Sequence, residues 1–289
     1  MFWTAIVNII TTLFFGLHGV PAVTYGAGSL ILDPSAPAVE IAAEKGAVLM
    51  ADDRFFLYTE KADKPQPIAS ITKLMTAMVF LDNNPGWDQT YVITEADKIE
   101  GGRLNLFLGD EVTLKDLFYT SLVASDNGAT IALVHASGLS EEEFVKKMND
   151  KAAALGLKQT AFSDPIGLSE NDISTAREVA LMAQAAFKRP EISEATTRAE
   201  YSFQTLGGRE KKIESTDHLL FDSGQQTLSV LGGKTGYTEK AGYCFVGRLR
   251  NEAGREVIAV VLNSQDKNGR FRDSKSLANW VFLNYTWTK

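Results

Sequence analysis

Apolar and polar positions follow different spacings in different parts of this chain. Residues 46–50 and 55–58 are apolar runs around a polar turn, which predicts a β-hairpin. Between about residues 85 and 195 the pattern favours helices, with an amphipathic stretch at 141–155. After residue 200 the pattern becomes strand-like. Three successive strands are predicted there: 228–231, 243–250 and 256–263.

Strands near both ends of the chain, with helices between them, predict one sheet built from the two termini. The fold class is therefore α/β, in the α+β sense, with a helix-rich insert at about 85–195. Residues 273–287 form a predicted closing amphipathic helix. There is no internal repeat and no low-complexity linker, so residues 28–289 are expected to form a single domain.

Residues 1–27 differ from the rest. Positions 2–20 are mostly apolar, and small residues follow at 21–27. This pattern is typical of a secretory signal peptide or an N-terminal membrane anchor. A buried helix of the domain is the alternative.

Residues 68–80 are apolar on nearly every face, which predicts a central, buried helix beginning near Ser70. Ser70 and Lys73 are three residues apart and so share one face of it. A buried lysine is costly unless it is paired or has a chemical role. An amine whose pKa is lowered by burial can take the proton of a serine hydroxyl. A second Ser-x-x-Lys, Ser264 to Lys267, lies in a polar stretch, so one match alone decides nothing.

Composition excludes several classes of function. The chain has 289 residues, 45% hydrophobic and 22% charged, which is ordinary for a globular protein. A net charge of -7 argues against nucleic acid as a partner. Three scattered histidines and one cysteine, Cys244, offer no zinc-site pattern, so no metal is expected. No Gly-x-Ser-x-Gly elbow is present, which argues against the common Ser-His-Asp hydrolases.

Two further motifs follow Ser70 and Lys73 in the chain. Ser125-Asp126-Asn127 lies between two predicted helices, where a serine is usually a helix cap. Lys234-Thr235-Gly236 ends a predicted strand after two glycines, which would let a ligand backbone approach. The alternative for Lys234 is a solvated lysine in a loop. Ser-x-x-Lys, Ser-x-Asn and Lys-Thr-Gly in this order are the signature of penicillin-binding proteins and class A β-lactamases.

The chain resembles the D-alanyl-D-alanine carboxypeptidases, which are low-molecular-weight penicillin-binding proteins of the serine β-lactamase/transpeptidase-like superfamily. The similarity is clearest at 64–77, 164–178 and 233–244, and it covers about residues 40 to 285. The chain differs from the family at Asp126, where glycine is frequent, and at Ile166, where histidine is usual. The resemblance implies an antiparallel sheet flanked by helices, here without the separate β-rich C-terminal domain common in the family.

The resemblance also implies an acyl-enzyme mechanism. Ser70 would attack the carbonyl between two D-alanines of a peptidoglycan stem peptide, Lys73 would take its proton, and Ser125 would relay a proton to the departing D-alanine. Backbone N–H groups of Ser70 and Tyr237 would stabilise the oxyanion. The residues implied to bind substrate are Asn127, Lys234, Thr235, Gly236, Tyr237 and Arg270.

The family further implies no cofactor, acylation of Ser70 by β-lactam antibiotics, and an extracytoplasmic location, with possible membrane attachment through the N-terminal segment. Three alternatives stay open. The first is a serine β-lactamase, but the chain lacks the Glu-x-x-Leu-Asn segment expected of one, since Asp164 to Asn171 offers only Glu170, in a different pattern. A DD-transpeptidase would use the same acyl-enzyme. A non-catalytic peptidoglycan-binding module would keep the fold without the activity.

Overall fold

A computed structural model describes residues 23–25, 28–99, 105–222 and 228–287. The chain forms two compact units. The larger is Val39–Phe282, and the smaller is made from residues before Val39 and after Phe282. The smaller unit contains a three-stranded antiparallel sheet.

The α-helices of the described residues are α1 (Lys73–Asp82), α2 (Leu114–Val123), α3 (Asn127–Ala136), α4 (Glu141–Ala154), α5 (Ala176–Ala186), α6 (Pro190–Thr196) and α7 (Gly269–Asn284). The strands are β1 (Val23–Tyr25), β2 (Gly28–Leu32), β3 (Lys45–Met50), β4 (Phe56–Glu60), β5 (Gln66–Pro67), β6 (Thr90–Val92), β7 (Glu111–Thr113), β8 (Ile173–Ser174), β9 (Glu200–Gln204), β10 (Glu210–Glu214), β11 (Leu228–Thr238), β12 (Gly242–Asn251), β13 (Glu256–Ser264) and β14 (Tyr285–Thr286). Three short 3₁₀ helices are Ala69–Thr72, Glu95–Asp97 and His218–Phe221.

The main sheet has five antiparallel strands in the order β11-β12-β13-β3-β4. It joins the two ends of the chain, because Val260 on β13 lies opposite Ala47 on β3. Residues 257–262 of β13 are all buried, since α5 packs against β13, β12 and β3 and Leu277 of α7 lies against Gly46. The predicted α+β fold, with one sheet built from both termini, is confirmed.

Helix α1 is the centre of the helical part. Its residues from Lys73 to Phe80 are all buried, and α2, α3, α4, α5 and α6 contact it. A helix enclosed on every side needs apolar residues on every face, which explains the sequence pattern at 68–80. The predicted buried helix is therefore present.

The observed N-cap residues agree with those expected from the sequence, with one exception. Thr113 accepts the Asp116 N–H at the start of α2, as expected for an N-cap. The sequence also predicts a helix over 174–187 in which Ser174 can be the N-cap, but Thr175 caps α5 by accepting the Glu178 N–H. The helix begins one residue later because Ser174 pairs with Gln66 in the short ladder between β5 and β8.

The predicted signal peptide or anchor at 1–27 lies outside the described residues, except for strand β1. Among the residues that the structure does describe, no helix combines the length and apolarity needed to cross a bilayer.

Candidate active site

Ser70 lies in the 3₁₀ turn Ala69–Thr72, which runs directly into α1. Side chains three residues apart eclipse in a 3₁₀ turn, so Ser70 and Lys73 point to the same side, and Oγ and Nζ are 3.0 Å apart. Ala69 has a φ of 49°, an unusual backbone conformation for a residue with a side chain. Such strain is held by close packing on both sides of the turn. A Cβ on Gly167 would collide with the Ala69 carbonyl, and one on Gly236 would lie 2.7 Å from the Ile68 carbonyl.

The amine of Lys73 is enclosed by three oxygen atoms. Besides Ser70 Oγ, it lies 2.7 Å from Oδ1 of Asn127 and 2.7 Å from the carbonyl of Ile166. A neutral amine has two N–H donors and one lone pair. Two acceptors and one hydroxyl therefore match a neutral Lys73 that accepts the hydrogen bond from Ser70.

Burial favours this neutral form. The side chain of Lys73 is fully enclosed, and desolvation lowers its pKa from 10.5 to about 7. The negative charges of Asp126, Asp164 and Asp172 oppose this effect and keep the pKa from falling further. An amine with a pKa near neutrality is suited to take and return a proton.

Ser125 is hydrogen-bonded to the second buried lysine of the site. It follows the end of α2 with a φ of 58°, and its Oγ lies 2.7 Å from Nζ of Lys234. The cap of α3 is Asp126, whose Oδ1 accepts the Ala129 N–H at 2.8 Å. The interpretation of Ser125 as a helix cap is therefore wrong, because its neighbour performs that role and leaves the Ser125 hydroxyl facing Lys234.

Lys234 lies in the middle of β11 and is only 1% exposed, so it is not a solvated loop lysine. Its amine donates to the hydroxyl of Ser125 and to the carbonyl of Thr235. Burial lowers its pKa well below 10.5, and the charges of Lys73 and Arg270 act in the same direction. The adjacent Thr235 hydroxyl lies 2.6 Å from that of Thr216.

The glycines of β11 have a different role from the one that the sequence suggests. A Cβ on Gly232 would lie 2.6 Å from the Phe187 ring, and one on Gly233 would collide with the carboxylate of Asp217. The two glycines thus make room for Phe187 and Asp217, and the interpretation that they admit a ligand backbone is wrong. Gly236, two residues after Lys234, is the glycine that lets β11 approach the nucleophile turn.

An open cleft of about 190 Å³ lies over these residues. Its lining residues are Ser70, Ser125, Ser215, Thr216, His218, Thr235, Gly236, Tyr237, Lys267 and Arg270. Lys73 and Lys234 are fully buried and reach the cleft through Ser70 and Ser125. Asn127 joins the group through Lys73.

Arg270 and Tyr237 form one side of the cleft. Arg270 lies in the first turn of α7, is buried, and donates to the carbonyl of Gly236 at 3.2 Å. Tyr237 is 51% exposed and stacks on Tyr243, with the ring centroids 4.3 Å apart. The sequence contains no motif for Ser215, Thr216 or His218, although 215–218 is a dense polar run. Lys267 appears in the sequence only as the lysine of the second Ser-x-x-Lys.

The site thus combines a serine hydroxyl with a near-neutral amine, a second hydroxyl hydrogen-bonded to a buried lysine, and a buried arginine. This arrangement suits nucleophilic acyl transfer on a substrate that carries a negative charge. Within the described ranges, no three His, Cys, Asp or Glu side chains are grouped so that they could hold a metal ion.

The fold and this cleft define a serine acyl-transfer enzyme of the penicillin-binding, transpeptidase-like class. The sequence profile of the D-alanyl-D-alanine carboxypeptidase family matches residues 33–266. The chain belongs to this family and is a serine-type DD-peptidase.

Individual relatives agree with this assignment. A D-alanyl-D-alanine endopeptidase of Pseudomonas aeruginosa is 34% identical over 247 residues, which are 82% of this chain and 76% of the relative. The D-alanyl-D-alanine carboxypeptidase DacF of Bacillus subtilis is 31% identical over 93% of this chain and 70% of its own length. The crystal structure of penicillin-binding protein D2 from Listeria monocytogenes, in its cefotaxime-bound form, superimposes with a TM-score of 0.73 and 32% identity, covering 85% of this chain and 99% of that one.

Proposed function

We propose that this protein removes the terminal D-alanine from peptidoglycan stem peptides that end in D-Ala-D-Ala, through an acyl-enzyme on Ser70. The proposal rests on the environment of the Lys73 amine. This amine has a pKa of about 7 and lies 3.0 Å from the Ser70 hydroxyl, with two acceptors for its N–H groups. These contacts supply a serine nucleophile with a base next to it.

In the acylation step, Oγ of Ser70 attacks the carbonyl carbon of the penultimate D-alanine and Lys73 takes the hydroxyl proton. The backbone N–H groups of Ser70 and Tyr237 stabilise the oxyanion, since β11 runs beside the nucleophile turn at Gly236. The departing D-alanine nitrogen receives a proton through the hydroxyl of Ser125. Water then hydrolyses the ester on Ser70 and releases the shortened peptide.

The terminal carboxylate of the substrate binds where positive charge and hydroxyls meet. Lys234 and Arg270 provide the charge, and Thr235 provides a hydroxyl on the cleft wall. Asn127 holds the peptide amide close to Lys73. β-Lactams carry a carboxylate next to a reactive carbonyl, and they acylate Ser70 in the same orientation.

The loop at 163–172 argues against a β-lactamase. Both carboxylate oxygens of Asp164 accept backbone N–H groups of its own loop, from Ile166, Gly167 and Ser169. Glu170 lies at the surface near Lys240. Neither carboxylate is therefore arranged to activate a deacylating water.

The second candidate is an endopeptidase, which cleaves within a peptide instead of at its end. The Pseudomonas aeruginosa relative bears that name. The exposed Tyr237 and Lys267 on the lining of an open cleft leave room for a substrate that continues beyond the scissile bond.

The site of action is the peptidoglycan outside the cytoplasm, where members of this family work. Residues 1–27 would export the chain or attach it to the membrane, and residues 28–289 would form the catalytic domain.

The test is intact-mass spectrometry after incubation with benzylpenicillin, followed over time, together with release of D-alanine from a D-Ala-D-Ala peptide. Wild type and Ser70→Ala are compared, with Ser264→Ala as a matched control because Ser264 belongs to the other Ser-x-x-Lys of the chain. A lasting adduct and D-alanine release are expected in wild type and Ser264→Ala, and neither in Ser70→Ala.

Other outcomes identify the alternatives. Rapid penicillin hydrolysis without an adduct would indicate a β-lactamase. Preferential cleavage of a C-terminally extended peptide would indicate an endopeptidase, and capture of the acyl group by an added amine would indicate a transpeptidase. A folded wild type with neither adduct nor turnover would indicate a non-catalytic module.

A further inference from the structure

Asp217 is a buried carboxylate for which the acyl-transfer steps have no use. It lies just before the 3₁₀ helix His218–Phe221, and its neighbours Thr216 and His218 line the cleft. Its own side chain is 2% exposed. Oδ1 accepts the Leu219 N–H at 2.9 Å, whereas Oδ2 accepts no hydrogen bond from the described residues.

The second oxygen packs against the strand that carries Lys234. A Cβ on Gly233 would collide with Oδ2, so only a glycine at this position lets the carboxylate come so close to β11. A helix cap needs one oxygen only, and a buried oxygen without a hydrogen-bond partner is unfavourable because the loss of its hydration is not compensated. The close approach therefore points to an electrostatic role for Oδ2.

Two buried cations act electrostatically on this carboxylate from different elements, Lys234 on β11 and Arg270 on α7. The charge of Asp217 raises the pKa of both, opposing the desolvation that lowers them. In the other direction, burial raises the pKa of Asp217 to about 7, while the Leu219 N–H and the charges of Arg270 and Lys234 lower it. The three groups therefore influence one another's charge, and the charge of Lys73 on α1 also lowers the pKa of Lys234.

We infer that Asp217 is a positioning residue that keeps Lys234 and Arg270 charged and leaves the three groups one negative charge short of neutrality. A substrate carboxylate supplies the missing negative charge. This inference rests on the proposed function, because it assigns Lys234 and Arg270 to the carboxylate of the substrate. It explains why the glycine directly before a buried lysine faces a carboxylate.

The test compares acylation by benzylpenicillin, which has a free carboxylate, with acylation by its methyl ester, which has none. Asp217→Asn keeps an oxygen for the Leu219 N–H and removes the charge. Second-order acylation rate constants come from intact-mass time courses. We expect the preference for acid over ester to fall about tenfold, the size of one charge-assisted hydrogen bond of 1.4 kcal/mol or more.

The pH dependence of acylation supplies a second readout, which would not change if Asp217 acted only as a helix cap. Removing a negative charge lowers the pKa of Lys234 further, so its cationic form is lost at a lower pH. The alkaline limb of the rate with benzylpenicillin should therefore move to lower pH in Asp217→Asn. The rate with the ester should not show this shift.

Asp110→Asn is the matched control. Asp110 is also buried and also pairs with two cations, Arg209 and Lys211, but it does not line the cleft. It should leave the acid-to-ester preference unchanged. Asp217→Ser, a second neutral variant with an oxygen for the cap, is measured alongside in case Asp217→Asn unfolds, as judged by circular dichroism.

The outcomes separate the inference from the function on which it rests. A reduced preference in either folded Asp217 variant, with Asp110→Asn unchanged, supports it. If wild type is acylated and the Asp217 variants show the same acid-to-ester preference and the same alkaline limb as wild type, this inference alone is overturned. No acylation of wild type by either compound would overturn the proposed function and this inference together.

Discussion

The protonation state of Lys73 predicts how acylation depends on pH. With the ordinary lysine pKa of 10.5, about one molecule in 3,000 would carry the neutral amine at pH 7. With the pKa lowered to about 7, half of the molecules carry it. Burial thus increases the reactive fraction at neutral pH by about a thousandfold, which corresponds to roughly 4 kcal/mol.

The sign of the pH dependence follows from the role of the amine as a base. Below its pKa, Lys73 is protonated and cannot take the proton of Ser70, so the acylation rate should rise about tenfold per pH unit up to about pH 7, level off, and fall again at the higher pH where Lys234 loses its charge. At pH 5 the rate should be about one hundredth of the plateau.

The assay is the second-order rate of adduct formation with benzylpenicillin between pH 5 and 9, with circular dichroism at each pH to confirm folding. Lys73→Arg is the control, because an arginine is always charged and should give no measurable acylation at any pH. A wild-type rate that keeps rising tenfold per unit to pH 9 would contradict a Lys73 pKa near 7, and a rate that is flat from pH 5 to 7 would contradict a neutral Lys73 as the base.

Two further variants and one labelling experiment test other parts of the molecule. Asp126→Asn keeps the cap of α3 but removes a charge that raises the pKa of Lys73, so the acidic limb of acylation should move to lower pH in the same assay. Gly167→Ala should lower the free energy of unfolding more than Gly208→Ala does, since both glycines have positive φ and only Gly167 also faces the Ala69 carbonyl. Equal losses of about 1–2 kcal/mol in thermal unfolding would mean that the strain from positive φ alone matters. Burial raises the pKa of the Cys244 thiol to about 11, so iodoacetamide at pH 8 should label it only after unfolding, and rapid labelling of the folded protein would show that the thiol is accessible.

Local patterns made part of this site predictable from the sequence. Ser70 and Lys73 are three residues apart on an apolar segment, so their contact needs only helical geometry. The strands and helices of the fold also leave periodic patterns, and the α+β architecture follows from their order along the chain.

Contacts between distant segments left no comparable pattern. Ser125 and Lys234 are 109 residues apart, and their contact depends on Asp126 taking the role of helix cap. The glycines before Lys234 suggested an open approach for a ligand, whereas their neighbours Phe187 and Asp217 are brought there by tertiary packing. The burial of Asp217 depends in the same way on how its loop packs behind β11, which no spacing along the chain records.

The pairing of β13 with β3 has a consequence for how the protein acquires its reactivity. Val260 lies opposite Ala47, more than 200 residues earlier, so the sheet closes only after most of the chain has been made. Closing such long loops lowers the entropy of the chain before stabilising contacts can form, so sheets of this kind fold slowly. Since Gly236 on β11 supports the strained turn at Ser70, the nucleophile is held in place only when the last third of the chain has joined the sheet. Labelling by a β-lactam therefore reports complete folding: a chain interrupted before β13 contains Ser70 and Lys73 but has no assembled site to acylate.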